Sequence, residues 1–157
     1  MEEIPIGGQL VTIVVDVANV MGSRPDGWWR DRAGAAARLH AEIVRLATSG
    51  RAILPDTGPP AEGGAPGEAV TPGFVLVLEG AAKAAPIPAT SIAEPVQPGE
   101  VRVVRARGSG DDAIVVVVRE LPGRRVVVTA DRELRDRSLA AGATVLSPGW
   151  LLGLLRD

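Results

Sequence analysis

Apolar and polar positions fall into blocks along this chain, and the blocks change period. Leu10 to Val15 is a near-continuous apolar, β-branched run, the pattern of a strand buried on both faces. A loop containing Gly, Pro and Asp follows from Met21 to Gly27. Arg30 to Thr48 then reads as a helix. Ala36, Leu39, Ile43 and Leu46 recur at steps of three and four, Arg38 and Glu42 form an i, i+4 pair on the polar side, and Gly50 supplies a stop. From Arg51 to Pro72 there are five prolines and four glycines without a period. A loop this long inside a compact domain is unusual, and the segment reads as a surface insertion or a mobile, functional loop.

The second half repeats the alternation. Phe74 to Leu78 is a buried-strand run ending at Glu79-Gly80, Pro86 to Pro98 is irregular, and Val101 to Val104 is a short strand. Asp111 to Leu121 reads as a helix, since Gly108-Ser109-Gly110 with two aspartates makes a good start and Pro122-Gly123 a good stop. Arg125 to Thr129 is a strand, Arg132 to Ala141 a helix ending at Gly142, and Thr144 to Leu146 a strand. A last helix begins at Pro148, proline being favourable at a first helical position. The order β-α-β-β-α-β-α-β-α implies an α/β fold: a mostly parallel sheet of about five strands with helices on both faces. Residues 1–157 read as one domain with the 51–72 loop inserted.

Composition narrows the chemistry. The 157 residues contain no cysteine, which excludes a thiol nucleophile, a zinc-cysteine cluster and a disulfide scaffold. The single histidine, His40, lies on the flank of the first helix and reads as an exposed or edge residue, not a ligand. With 17 basic and 19 acidic residues the net charge is −2, so any grip on nucleic acid is local. The acidic opening Met1-Glu2-Glu3 is no signal peptide. Leu10 to Val20 carries Asp16, and Ala113 to Val118 is far short of the roughly 18 residues that span a bilayer. The chain reads as a cytoplasmic protein with no membrane partner.

Where the acids fall is the informative pattern. Asp16 follows the first strand, Glu79 the second, Asp111 and Asp112 open the helix after the third, and Asp131 lies just beyond the fourth. In a parallel sheet all strand carboxyl ends share one edge, where ligands bind. Acids far apart in sequence therefore converge. Two carboxylates 4 Å apart repel by about 4 kcal/mol at an effective dielectric near 20, so such a cluster raises its pKa values or holds cations. Oxygen donors without cysteine point to Mg²⁺ or Mn²⁺. Each acid also has a structural reading. Asp131 can cap the helix at Arg132, and Ser109-x-x-Asp112 fits a capping box, which leaves Asp111 as the ligand. Asp16, closing an apolar strand, has no evident helix start beside it to cap.

These residues resemble a known family. Val14-Val15-Asp16-Val17-Ala18-Asn19 is similar to the Asp-x-x-Asn first-strand motif of NYN domains, within the PIN-like nuclease superfamily. Gly110-Asp111-Asp112-Ala113-Ile114 resembles the acidic helix start of those proteins, and Val128-Thr129-Ala130-Asp131-Arg132 their strand ending in Ser/Thr-x-Asp. Ala141-Gly142-Ala143, leading into Val145-Leu146-Ser147, is like the turn and strand that follow. The motifs occur in the family's order over nearly the whole chain. The resemblance implies a three-layer PIN-like fold and a metal-dependent ribonuclease. Asp16, Asp111 or Asp112, and Asp131 would hold one or two divalent ions, with Glu79 where relatives often carry a further acid. Asn19 would orient the first aspartate, Thr129 would hydrogen-bond within the cluster, and metal-bound water would attack an RNA phosphodiester. The acidic pI and the 51–72 loop depart from the usual pattern.

Arginines flank the same edge: Arg24, Arg30 and Arg32 after strand one, Arg105 and Arg107 after strand three, Arg132 and Arg135 after strand four. A guanidinium fork suits phosphate, and Arg107 and Arg132, each within five residues of a candidate ligand, are the phosphate-contact candidates. Trp28-Trp29 can stack on bases, or pack at least one ring onto the sheet. A haloacid-dehalogenase-type phosphatase would need an acid where Ala18 stands, and the P-loop motif is absent. The other open reading is a non-catalytic PIN-like module that binds RNA or a protein partner.

Overall fold

The computed structural model describes residues 10–49, 52–53, 69–87 and 95–156. Strand β1 (Val11–Asp16) is followed at once by helix α1 (Val17–Gly22), a 3-10 turn (Trp28–Arg30) and helix α2 (Arg32–Ser49). A two-residue antiparallel ladder joins β2 (Ala52–Ile53) to β3 (Ala69–Val70). Then come β4 (Gly73–Leu78), a 3-10 turn (Gly80–Ala84), β5 (Val101–Arg105), α3 (Gly110–Glu120), β6 (Arg124–Val128), α4 (Arg132–Ala140), β7 (Thr144–Leu146) and α5 (Pro148–Leu155).

Five strands pair in the order β5-β4-β1-β6-β7, every pair parallel. The chain leaves β1 towards β4 and β5, then crosses back to β6 and β7 on the other side. The strand order thus reverses beside β1, the point of a parallel sheet outside whose carboxyl edge ligands bind. Period-two alternation divides the sheet's side chains between two cores. Ile13, Val15, Phe74, Leu76, Leu78, Val126 and Val128 pack with α1, α2 and α5, whose Val20, Leu39, Ile43 and Leu151 are fully buried. Val14, Val75, Val77 and Val127 pack with α3 and α4 through Ile114, Val118 and Leu134. The result is the three-layer α/β architecture expected from the blocks.

The sequence pattern missed α1. Its residues continue the apolar run of β1, and six residues are too few to show a helical period against it. Helix α2 starts at Arg32 because Asp31 caps it, accepting from Gly34 N at 2.9 Å. Glu42 does not pair with Arg38. Arg24, in the α1–α2 loop, reaches it with two parallel bonds of 2.8 and 2.7 Å, and a fork-on-fork pair outcompetes an exposed i, i+4 contact. Gly50, residues 54–68 of the proline-rich segment and residues 88–94 of the second irregular one lie outside the described residues.

Edge strand β5 is closed by its own arginines. Arg105 donates to the carbonyls of Lys83, Ala85 and Ile87 at 2.8–3.0 Å. Arg102, 6% exposed, bonds Glu100 and the carbonyl of Pro95. Arg105 is thus spent on backbone, as Arg24 is on Glu42. Neither guanidinium is left for a phosphate.

Candidate functional site

Asp16 ends β1 at the strand-order reversal and is buried, 6% exposed. A helix start does stand beside it, contrary to the sequence reading: Asp16 is the N-cap of α1, and its Oδ1 accepts from Asn19 N at 3.4 Å. Its Oδ2 accepts from the Thr129 hydroxyl at 2.9 Å, just past the end of β6. The Thr129 oxygen in turn accepts from Asp131 N at 3.1 Å, and the Asn19 side-chain carbonyl from Ala130 N at 2.8 Å. These bonds tie the end of β1 and the start of α1 to the β6–α4 turn. It is the backbone of Asn19 that holds Asp16, while its side chain holds the opposite turn. Thr129, 3% exposed, is the relay between the two aspartates.

Asp131 caps α4, accepting from Leu134 N at 2.8 Å through Oδ1. Glu79 lies on the other side of the edge and accepts from Gly110 N at 2.7 Å, so its carboxylate sits on the amino end of α3, where the helix dipole favours an anion. Glycine is required at position 110 for this approach, since a Cβ there would stand 2.8 Å from Glu79 Oε2. Sequence reasoning gave Gly110 only a part in the helix start. The following glycine-to-acid step was visible, but its partner 31 residues away was not.

Asp111 and Asp112 take different sides. Ser109 caps α3, its Oγ accepting from Asp112 N at 3.1 Å. The Asp112 side chain, 72% exposed, pairs with Arg137 of α4 at 2.9 Å, outside the cluster. Asp111 is half-buried, and its carboxylate has no hydrogen-bond or ion-pair partner among the described residues.

The charges of this group act on one another. Burial pushes the Asp16 carboxyl up to about 6 from 3.8; the bonds from Thr129 and Asn19 oppose that, and the charges of Asp111 and Glu79 add to it. Asp111 is also raised, by desolvation first, then by Asp131 and Glu79, with Arg137 partly offsetting. Asp16, Glu79, Asp111 and Asp131 therefore form one electrostatic group drawn from four chain segments.

The oxygens of Asp111, Glu79 Oε1 and Asp131 Oδ2 accept no hydrogen bond among the described residues, which leaves hard donors facing like charge. By donor chemistry the group suits Mg²⁺ or Mn²⁺. As they stand, no three acidic or histidine side chains among the described residues come close enough together to hold an ion.

At the rim, Arg107 and Arg132 are exposed and have no ion pair among the described residues. Arg107, Gly108, Ser109, Asp112 and Val116 line an open hollow of about 360 Å³ beside the start of α3. Of the adjacent pair Trp28 and Trp29, Trp28 packs against the core, and Trp29 is 55% exposed. His40 is half-buried, and burial lowers its pKa. No helix among the described residues is long and apolar enough to cross a membrane.

No family model matches the sequence, and no curated protein matches it. Among solved structures, the crystal structure of a single-substitution mutant of Rae1 (YacP) from Bacillus subtilis is similar over 94% of this chain and 76% of its own, with a TM-score of 0.59 and 15% identity. The fold is a three-layer PIN-like fold, and at this identity the likeness is one of fold.

Proposed function

We propose that this chain is a metal-dependent ribonuclease of the NYN/PIN-like type, hydrolysing phosphodiester bonds at the carboxyl edge of the sheet. The observation that carries the reading is the buried Asp16, its carboxyl raised to about 6, coupled to Asp111 and Glu79 where the strand order reverses. A buried carboxylate among like charges is costly, and such arrangements concentrate at functional sites. Asp16, Glu79, Asp111 and Asp131 would hold Mg²⁺ or Mn²⁺, and Asp111 is the member of its pair that faces the group. A divalent ion in such a site supplies charge neutralisation for the phosphate and a water acidic enough to react near neutral pH.

The protein's own groups do the rest. Thr129 and the Asn19 backbone fix the rotamer of Asp16, and Asn19 locks the β6–α4 turn so that Asp131 keeps its place. Arg107 and Arg132 meet phosphates on either side. RNA is the substrate class, and no membrane is involved. A second reading has its own support. The acids do not close to ligating distance, as in a PIN-like module that binds RNA or a protein partner without cutting.

The test is incubation of the purified chain with labelled single-stranded and structured RNA in Mn²⁺, Mg²⁺ or EDTA. The expected result is slow cleavage in Mn²⁺, none in EDTA, and none by Asp16→Asn, which retains RNA binding. Cleavage by Asp16→Asn at the wild-type rate would end the nuclease assignment at this site.

A further inference from the structure

The 3-10 turn between α1 and α2 presents an aromatic surface that the acidic cleft does not use. Gly27, at φ 77°, turns the chain so that Trp28 and Trp29 follow on one short helix. The rings meet edge to face at 6.0 Å. Trp28 is the anchor: it packs on the core, and its Cζ2 lies 3.7 Å from the Cβ position of Gly22. Trp29 is held against that anchor and is 55% exposed. The Arg30 guanidinium lies 5.8 Å from the Trp29 ring centre and that of Arg32 5.3 Å from the Trp28 ring centre. Both arginines are exposed and have no ion pair among the described residues, while Asp31 between them is occupied in capping α2.

A fixed, half-exposed indole with one unpaired guanidinium over it and a second over its neighbour is the kind of surface that single-stranded nucleic acid uses, a base on the ring and phosphates on the cations. A protein partner would need a broader apolar area. Among the described residues the other exposed large apolar side chains, Val44, Val116 and Leu139, sit on α2, α3 and α4, not in this turn. Position also fits. Asp16 caps the amino end of α1 and Trp28 packs at Gly22 at its other end, and six residues at about 1.5 Å each make roughly 9 Å.

We propose that Trp29, with Arg30 and Arg32, is a base-stacking platform that seats single-stranded RNA beside the acidic cleft. The proposal rests on the RNA reading of the cleft, but binding needs no turnover, so its test is run in EDTA. Anisotropy of labelled 12-nucleotide oligouridylate, oligoadenylate and a 12-base-pair RNA duplex is measured with wild type, Trp29→Ala and Trp29→Phe. Melting temperature serves as the check on folding. Trp29→Ala is expected to bind both single strands about 5- to 150-fold more weakly, the range for loss of one stacked base, with duplex binding unchanged. Trp29→Phe, which keeps a ring, is expected to restore most of the affinity. If a folded Trp29→Ala binds single strands as tightly as wild type, or wild type binds no RNA, the platform is overturned. A change in sedimentation without a change in RNA affinity likewise overturns it and assigns the ring to a protein contact. Cleavage with unaltered Trp29→Ala binding would leave the nuclease reading standing and remove only this one.

Discussion

Replacing Asp16 by asparagine should make the protein more stable at neutral pH, although it removes the residue at the centre of the site. The folded-state pKa of about 6 exceeds the ordinary 3.8 by about two units, which corresponds to about 3 kcal/mol of destabilisation by the ionised form. The sign follows from linkage. The folded state binds the proton more tightly than the unfolded chain, so this group's cost is absent below pH 3.8, grows as pH rises, and is complete above pH 6. The groups facing Asp16 are Asp111 and Glu79, which raise it, and Thr129 and Asn19, which oppose them. Asparagine keeps the acceptor for Asn19 N, but it turns an N–H towards the Thr129 oxygen and leaves that hydroxyl proton without its acceptor, at about 1 kcal/mol. The net gain is about 1–2 kcal/mol, or roughly 3–6 °C in Tm for a chain of this size. Thermal melts of wild type and Asp16→Asn in EDTA from pH 4 to 8 measure it. The gap should be widest above pH 6 and shrink towards pH 4. Millimolar Mn²⁺ should then raise the Tm of wild type and leave that of Asp16→Asn nearly unchanged. A variant less stable than wild type at pH 7.5, or a gap independent of pH, would refute the burial argument.

Two other perturbations probe the edges of the site. Gly110→Ala puts a Cβ 2.8 Å from Glu79 Oε2; because the carboxylate is the far end of a flexible side chain, Glu79 should swing out at a cost of about 1 kcal/mol. Melts with and without Mn²⁺ should show a near-native Tm but a reduced Mn²⁺ increment. Arg107→Ala and Arg132→Ala should each weaken RNA binding across all sequences and lower the slope of log K against log salt by about 0.7, the value for one phosphate contact on a single strand. An unchanged slope would remove that arginine from the phosphate path.

The sheet was legible because its central strands are buried on both faces. Val11–Asp16, Gly73–Leu78 and the Val126–Val128 stretch carry apolar, β-branched side chains into both cores, and that excess survives any uncertainty about their ends. Parallel pairing then put Asp16, Glu79, Asp111 and Asp131 at one edge without knowledge of any contact. What stayed hidden depended on distant partners. Arg24 met Glu42 and Arg105 met the carbonyls of Lys83, Ala85 and Ile87, because each guanidinium found a partner in space that its sequence neighbours could not supply. Asp111 and Asp112 are adjacent and alike in sequence, and only the position of Arg137 on α4 separates them. Helix α1 was masked by the apolar residues it shares with β1. Asp16 itself was its one signal, a capping residue type whose carboxylate accepts from the backbone N–H three residues on.

The bonds that tie Asp16 to Thr129 and Asn19 to Ala130 span 113 and 111 residues. During synthesis the first aspartate leaves the ribosome long before its hydroxyl partner exists, and β1 has no β6 to lie against. The pocket is consequently among the last things the chain acquires, and its acids stay scattered and solvated until then. Nascent or half-folded copies hold no assembled cluster of acids. Completion of the sheet is itself the act that assembles it.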